Sequence, residues 1–168
     1  MRLIVPYYSQ HRDVQDKNWQ KKACGLVCLK MVLDFHQLKT PNMDDFLKRA
    51  LEQGAFGKSG WIHNKLLVLA TEAGARAVRK EQLADESVLK DFLDLGNPVV
   101  VSLKAKRFSS EFEKKFHQVV LVGYGVDGFY YHDPDYQDEA GENRFVSWQD
   151  FKTYWRKMAI FISKTGEN

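Results

Sequence analysis

The sequence predicts an α+β domain in which N-terminal helices pack on a C-terminal antiparallel sheet. Apolar residues of the first half recur at helical spacing, whereas those of the second half form short β-branched and aromatic runs separated by turns. The length of 168 residues, 44% of them hydrophobic, fits a single domain over residues 1–168 with enough apolar material for a core.

Each element carries its own signal. LIVPYY at 3–8 reads as a short strand or extended entry segment, confined to an edge by Pro6. A polar loop follows from His11 to Lys22. The chain then turns apolar at Ala23-Cys24-Gly25, and Leu26, Leu29 and Leu33, flanked by Cys28, Met31, Val32 and Phe35, form the wide stripe of a buried helix. Cys24 therefore stands at or just before a helix N-terminus. Thr40-Pro41 with Asp44 and Asp45 predicts a second helix to about Gln53, stopped by Gly54. Trp61 to Ala73, closed by Gly74, reads as a third helix, and Leu83 to Leu95, ended by Gly96-Asn97-Pro98, as a fourth. The first half is thus read as helical.

In the second half, Val99 to Leu103, Gln118 to Gly125 and Phe129 to Asp133 read as strands, with Asp127-Gly128 as a hairpin signal. Arg144 to Ser147 adds a strand, Trp148 to Trp155 a short helical turn, and Met158 to Ser163 a last strand. No internal repeat or low-complexity linker interrupts the chain.

Composition excludes several classes. With 25 Lys and Arg against 22 Asp and Glu, the charge is too small and too evenly mixed to point to nucleic acid. No stretch approaches the roughly 20 apolar residues of a membrane-spanning helix, so no membrane insertion is expected. Pro6 interrupts the N-terminal apolar run before a signal-peptide core forms. The expected location is cytoplasmic, with a removed leader or an attached further domain left open. Two cysteines, Cys24 and Cys28, do not make a disulfide scaffold. They raise thiol reactivity or metal binding as the question.

Competing motifs fail on context. Gly123-Tyr124-Gly125-Val126-Asp127-Gly128 matches GxGxxG, but the strand FYYHD follows where a dinucleotide site needs a helix. Gly57-Lys58-Ser59 resembles the end of a phosphate loop, yet Glu52 occupies the place of its first glycine. Cys24 and Cys28 share a helical face, but His11, His36, His63, His117 and His132 are scattered and supply no second ligand pair for zinc. Asp133, Asp135, Asp138, Glu139 and Glu142 lack the central glycine of a calcium loop. A solvated loop is the default there, with weak calcium binding as the alternative. No cofactor or metal is expected.

Nucleophilic catalysis accounts for more of the pattern. A thiol at a helix N-terminus lies at the positive end of the dipole, which favours thiolate. Cys28, one turn further in among Leu29, Met31, Val32 and Phe35, reads as a buried structural thiol. His117 begins one strand and Asp133 ends the next. Antiparallel pairing brings both to one end of the sheet, as a general base and the carboxylate that orients it.

At these residues the sequence resembles the bacteriocin-processing peptidase family, papain-like domains that in transporters cut leader peptides after a double glycine. ACGLVCLKMVLDFH resembles that family's nucleophile segment, HQVVLVGYG and YYHDPD its His and Asp-Pro strands, and FVSWQDFKTYW its closing segment, while VPYYSQ is similar to the opening of stand-alone members. The resemblance implies a papain-like fold, with Cys24 as nucleophile, His117 as base and Asp133 as orienter, and a peptide or protein as substrate. Transporter-linked members carry an oxyanion-donating glutamine about six residues before the cysteine. That position is Asn18 here. Gln10, in its YYSQ context, is the expected donor and Gln20 the second choice.

The same acyl chemistry serves a hydrolase, a deamidase or a transferase. The alternative from another class is a catalytically silent peptide- or leader-binding module of an export system, which would not need the Cys, His and Asp set. A regulator responding to metal or redox state through Cys24 and Cys28 is a third reading. The segment Leu103 to Phe116, with Phe108, Phe112 and Phe116 four apart, reads as a short amphipathic helix on the surface or, alternatively, at the border of a substrate cleft. Oligomeric state is not encoded in any pattern found.

Overall fold

A computed structural model of the protein describes residues 2–104 and 116–166. Helix α1 (Cys24–Phe35) is followed by α2 (Met43–Glu52), a two-residue hairpin β1 (Phe56–Gly57) and β2 (Gly60–Trp61), α3 (His63–Glu72), β3 (Ala75–Lys80), α4 (Ser87–Asp94), β4 (Val99–Lys104), β5 (Phe116–Tyr124), β6 (Gly128–His132), β7 (Arg144–Ser147), α5 (Trp148–Tyr154) and β8 (Trp155–Lys164). Six strands form one sheet in the order β3-β8-β4-β5-β6-β7, with every pairing antiparallel. The predicted α+β architecture is the observed one.

The central strands are apolar throughout because both faces of the sheet are covered. Val100, Val120, Val122, Ile160 and Ile162 pack with α1, α2 and α3 in one core. Val99, Val101, Val119, Leu121 and Phe161 join the second core, with Leu89 and Leu93 of α4 and Phe151 of α5. Alternation along each strand sends successive residues to opposite faces.

Boundaries differ from expectation where local chemistry competes. Helix α2 starts two residues later than Thr40-Pro41 suggests, because the Asn42 side chain caps it by accepting from the Asp45 N–H at 3.0 Å. Trp61 belongs to the β1–β2 hairpin and not to α3, and α4 begins only at Ser87. Helix α3 does end before Gly74, which takes φ +93°.

Of the two readings of residues 3–8 the strand does not form, and one strand of the first half was not expected. Residues 3–8 form no strand: Arg2 makes an isolated bridge to Gly123, and Leu3 donates to Val122 O at 2.7 Å, with no ladder beyond. Conversely, the first half is not wholly helical, since β3 pairs along its whole length with β8, Ala75 opposite Lys164 through Lys80 opposite Ala159. Its alternation is muted because its exposed face carries Arg76, Val78 and Lys80, long side chains mixed with an apolar one. Of the amphipathic segment expected from Leu103 to Phe116, residues 105–115 lie outside the described residues, and its ends belong to β4 and β5.

The Asp127-Gly128 hairpin forms, but Gly128 serves space more than backbone freedom. It is the first residue of β6, facing Ser147 of β7, and a Cβ there would overlap Val146 O. Gly128→Ala is therefore expected to cost about 1–3 kcal/mol from overpacking, lowering the thermal midpoint by roughly 2–12 °C. Val126→Ala, in the same turn at a position 92% exposed, is expected to stay within about 0.5 kcal/mol. Thermal denaturation of the two variants checks this.

Candidate active site

Cys24 is the first residue of α1, and its N-cap, Ala23, offers no side-chain hydrogen bond to the helix end. First-turn N–H groups have no intrahelical partner, so they concentrate positive potential at the thiol. Gly25 keeps this end open: a Cβ there would come 2.7 Å from Gln118 Oε1 and 2.9 Å from Trp61 Cδ1. Cys24 is 8% exposed and lines the cleft described below. Cys28 is wholly buried, donates to Gln118 O at 3.3 Å, and has a pKa pushed well up by burial and then by the neighbouring Cys24 and Asp133 charges.

His117 stands near the start of β5 and Asp133 just past the end of β6. Their hairpin pairs Val120 with His132, which brings both to one end of the sheet. His117 Nε2 lies 2.7 Å from Asp133 Oδ1, and both side chains are essentially inaccessible. Nδ1 is thus the ring nitrogen left for the thiol. Burial opposes protonation of His117, but the Asp133 charge, the hydrogen bond to Asp133 and hydrogen bonding to Cys24 outweigh it and push the pKa up to about 10. The structure therefore brings Cys24, His117 and Asp133 together.

Sequence reasoning missed the shell that holds Asp133. Its N–H donates to Gly141 O at 2.8 Å, its carbonyl accepts from Tyr7 OH at 3.0 Å, and Oδ1 also accepts from the Asp135 N–H at 3.0 Å. A Cβ on Gly141 would overlap both Asp133 O and Tyr7 OH. The signal was present only as YYHDPD near a lone glycine, with nothing to link Tyr7 to it.

Gln10, the expected oxyanion donor, is buried against the Asp-Pro turn. Its backbone N–H donates to Pro134 O at 2.9 Å, Ser9 Oγ bonds Tyr136 O, and the Gln10 Nε2 donates to Asp135 Oδ1 at 2.8 Å. The segment is pinned along the Asp-Pro turn by these bonds, and the buried Gln10 Oε1 has no partner among the described residues. His11 Nε2 approaches the same Asp135 oxygen at 2.6 Å. Gln20 donates to Val14 O at 2.8 Å. The carboxamides that do line the cleft, among the described residues, are Gln118 and Asn64.

The cleft at Cys24 has a volume of about 840 Å³, within the range of ligand sites. Its lining includes the apolar Phe56, Trp61, Ile62 and Met158 and the polar or charged Ser102, Gln118, His63, Arg79 and Arg156. Among the described residues no group of three or more His, Cys, Asp or Glu side chains is placed to hold a metal ion, and no helix is long and apolar enough to cross a membrane.

The raised His117 pKa fixes the sign of a stability test. A proton held more tightly in the folded state than at the ordinary value of 6.5 stabilises fully below pH 6.5 and is lost as pH rises through about 10. The advantage of wild type over Asp133→Asn in thermal unfolding is therefore expected to shrink between those values. In Asp133→Asn burial is opposed only by Cys24, so this variant should gain much less stability than wild type on acidification toward pH 6.5. A pH-independent difference would contradict the assignment.

Comparison with known proteins follows this geometry. A double glycine motif protease from an AMS/PCAT transporter, solved with the leader peptide, superposes with a TM-score of 0.66 at 18% identity, covering 98% of this chain and 94% of that one. A protein named as a C39-like peptidase from Bacillus anthracis gives 0.71 at 20% identity and 97% coverage of both chains. The peptidase domain of Streptococcus ComA, a bi-functional ABC transporter of a quorum-sensing pathway, gives 0.63 at 21% identity, covering 86% and 93%. At these identities the likeness is one of fold. No protein of curated function matches the sequence. The model of the Peptidase_C39 like family matches residues 2–160, nearly the whole chain, and the protein belongs to that family.

Proposed function

We propose that the protein is a cysteine peptidase acting through Cys24, His117 and Asp133 within one papain-like domain. The observation that carries this reading is the buried His117, hydrogen-bonded through Nε2 to Asp133 and close enough to Cys24 for that group to raise its pKa, beside a helix N-terminus that opens on a cleft. A structural histidine pair would not need a thiol at the cleft surface. Family membership and the three similar folds support the same chemistry, and the structure solved with a leader peptide supports a peptide as the occupant.

In the proposed reaction the Cys24 thiolate attacks the scissile carbonyl carbon, and the C–O π electrons move to oxygen. The oxyanion is held by the Cys24 N–H at the first turn of α1. As the C–N bond breaks, His117 Nδ1 gives its proton to the leaving amine. The resulting thioester is attacked by water, which gives a proton to His117. Cleavage of the C–S bond then returns the thiolate and imidazolium with release of the acid. Asp133 keeps Nε2 protonated and the ring in place. Gln10 is assigned a positioning role through Asp135, in place of oxyanion contact.

Alkylation by iodoacetamide, followed by peptide mapping, tests the nucleophile. At pH 6 Cys24 is expected to react roughly tenfold faster than a simple thiol, the gain in thiolate exceeding the loss of intrinsic nucleophilicity. His117→Ala should abolish the advantage, and Cys28 should stay unmodified in the folded protein. Equal, slow labelling of both cysteines would overturn the reading.

The role given to Gln10 has a separate readout. Gln10→Ala is expected to lower kcat by less than the about 10²–10³ lost with an oxyanion donor, and to move the pH–rate profile by loosening Asp133. A full oxyanion-sized loss with an unmoved profile would return Gln10 to the expected role.

A further inference from the structure

Four cations, Lys22, Lys58, Arg79 and Arg156, line the cleft at Cys24, and no Asp or Glu does so among the described residues. The local fold produces this concentration. On β3, Ala75 and Ala77 pack with the helices in the first core, so period-2 alternation puts Arg79 on the same face. On β8, Ile160 and Ile162 occupy that face under the helices, and the cleft-lining Met158 and Arg156 continue it. Ser102 of β4 and Gln118 of β5 lie opposite each other in register, and both line the cleft. The helices cover the apolar part of this surface, and its polar end forms the cleft wall.

Both arginines line this cleft. Arg156 has its pKa lowered by burial and then by the Arg79 charge. Arg79 forms an ion pair with Glu81, yet its buried Nε has no partner among the described residues. Arg156 lies 3.4 Å from the Phe116 ring centroid and donates to Ser102 Oγ at 3.0 Å. No carboxylate among the described residues pairs with it. Arg156 carries five N–H donors, and among the described residues its one side-chain hydrogen bond is to the Ser102 hydroxyl. His63, whose Nε2 lies 2.7 Å from Gln118 Nε2, is kept neutral at ordinary pH by burial and then by both arginines, its pKa lowered to about 4. A neutral imidazole adds a hydrogen-bonding group without adding a third charge.

We propose that Arg79 and Arg156, with Ser102 and His63, form a carboxylate subsite that selects an acidic group of the peptide bound in the cleft. A guanidinium matches a carboxylate bidentately, and of the two cleft arginines Arg156 has no carboxylate partner among the described residues while Arg79 is engaged with Glu81. The carboxylate comes from an Asp or Glu side chain or from a peptide C-terminus. This subsite rests on the peptidase reading only for the cutting of the bound chain, since binding needs no thiol.

Retention of a randomised peptide library on immobilised Cys24→Ala protein, read by mass spectrometry, tests the subsite apart from catalysis. Acidic peptides are expected to be retained about tenfold over their Gln and Asn counterparts. Arg79→Gln and Arg156→Gln should abolish the enrichment, and Arg156→Lys, which keeps the charge, should restore part of it. If either Gln variant fails to fold, the graded loss in Arg156→Lys carries the comparison. A C-terminally amidated library separates the sources: enrichment that persists assigns the side chain, and enrichment confined to free C-termini assigns the terminal carboxylate. Equal retention of acidic and amide peptides overturns the subsite. Acid-selective retention with no cleavage of the same peptides by wild type leaves the subsite standing and overturns the peptidase reading.

Discussion

Helix α1 is docked on strand β5 at a fixed height, and the site follows from that docking. Leu26, Val27, Cys28 and Met31 of the helix share a core with Val120 and Val122 of the strand. At the site end of this contact the Cys28 thiol donates to Gln118 O. Cys24 is one helical turn before Cys28, and His117 is the neighbour of Gln118. A buried thiol with no catalytic task thus sets the spacing between the thiol and the imidazole that have one in the proposed reaction. Close packing makes the setting stiff, because neither element can slide without opening a void.

The second demand is a buried charge pair. Placing His117 and Asp133 where water cannot reach them is costly, and their mutual hydrogen bond together with the Asp135 N–H on Asp133 Oδ1 offsets part of that cost. The β5–β6 hairpin brings the two residues to one end of the sheet. Tyr7, Gly141 and the Asp135 N–H then hold the carboxylate-bearing turn from three sides. The N-terminal segment, which joins no sheet ladder beyond Arg2, contributes through this turn: Tyr7, Ser9 and Gln10 all bond to residues 133–136. Its burial of Val5, Ser9 and Gln10 is the structural counterpart of a role that strand propensity misread.

Most of the fold was legible because local chemistry and tertiary position agree. Strands β4 to β8 show as apolar or aromatic runs because the sheet is covered on both faces, and helix ends show as Gly74 and Gly96 with positive φ. Strand β3 was not legible, since its partner β8 lies some eighty positions away and its own alternation mixes arginine with alanine and valine. Cys24, His117 and Asp133 could be singled out by the places they hold in their own elements, a helix start and two strand ends. Gln10 could not be placed: the loop from His11 to Lys22 has no signal for the direction in which it folds. Its path was decided by hydrogen bonds to a turn more than a hundred residues downstream.

The sequence by itself determined the types of most elements, β3 excepted, the separation of Cys24 from Cys28 and the order in which candidate groups occur along the chain. These depend on periodicity, capping and turn chemistry, which act over a few residues. Only the tertiary structure decided what surrounds each group: that His117 is sealed against water while Cys24 borders a cleft, that Gln10 serves Asp135, and that Arg79 and Arg156 line the same cleft. Burial, field and hydrogen-bond partners come from residues distant in the chain. A pattern of neighbours in sequence carries no record of them.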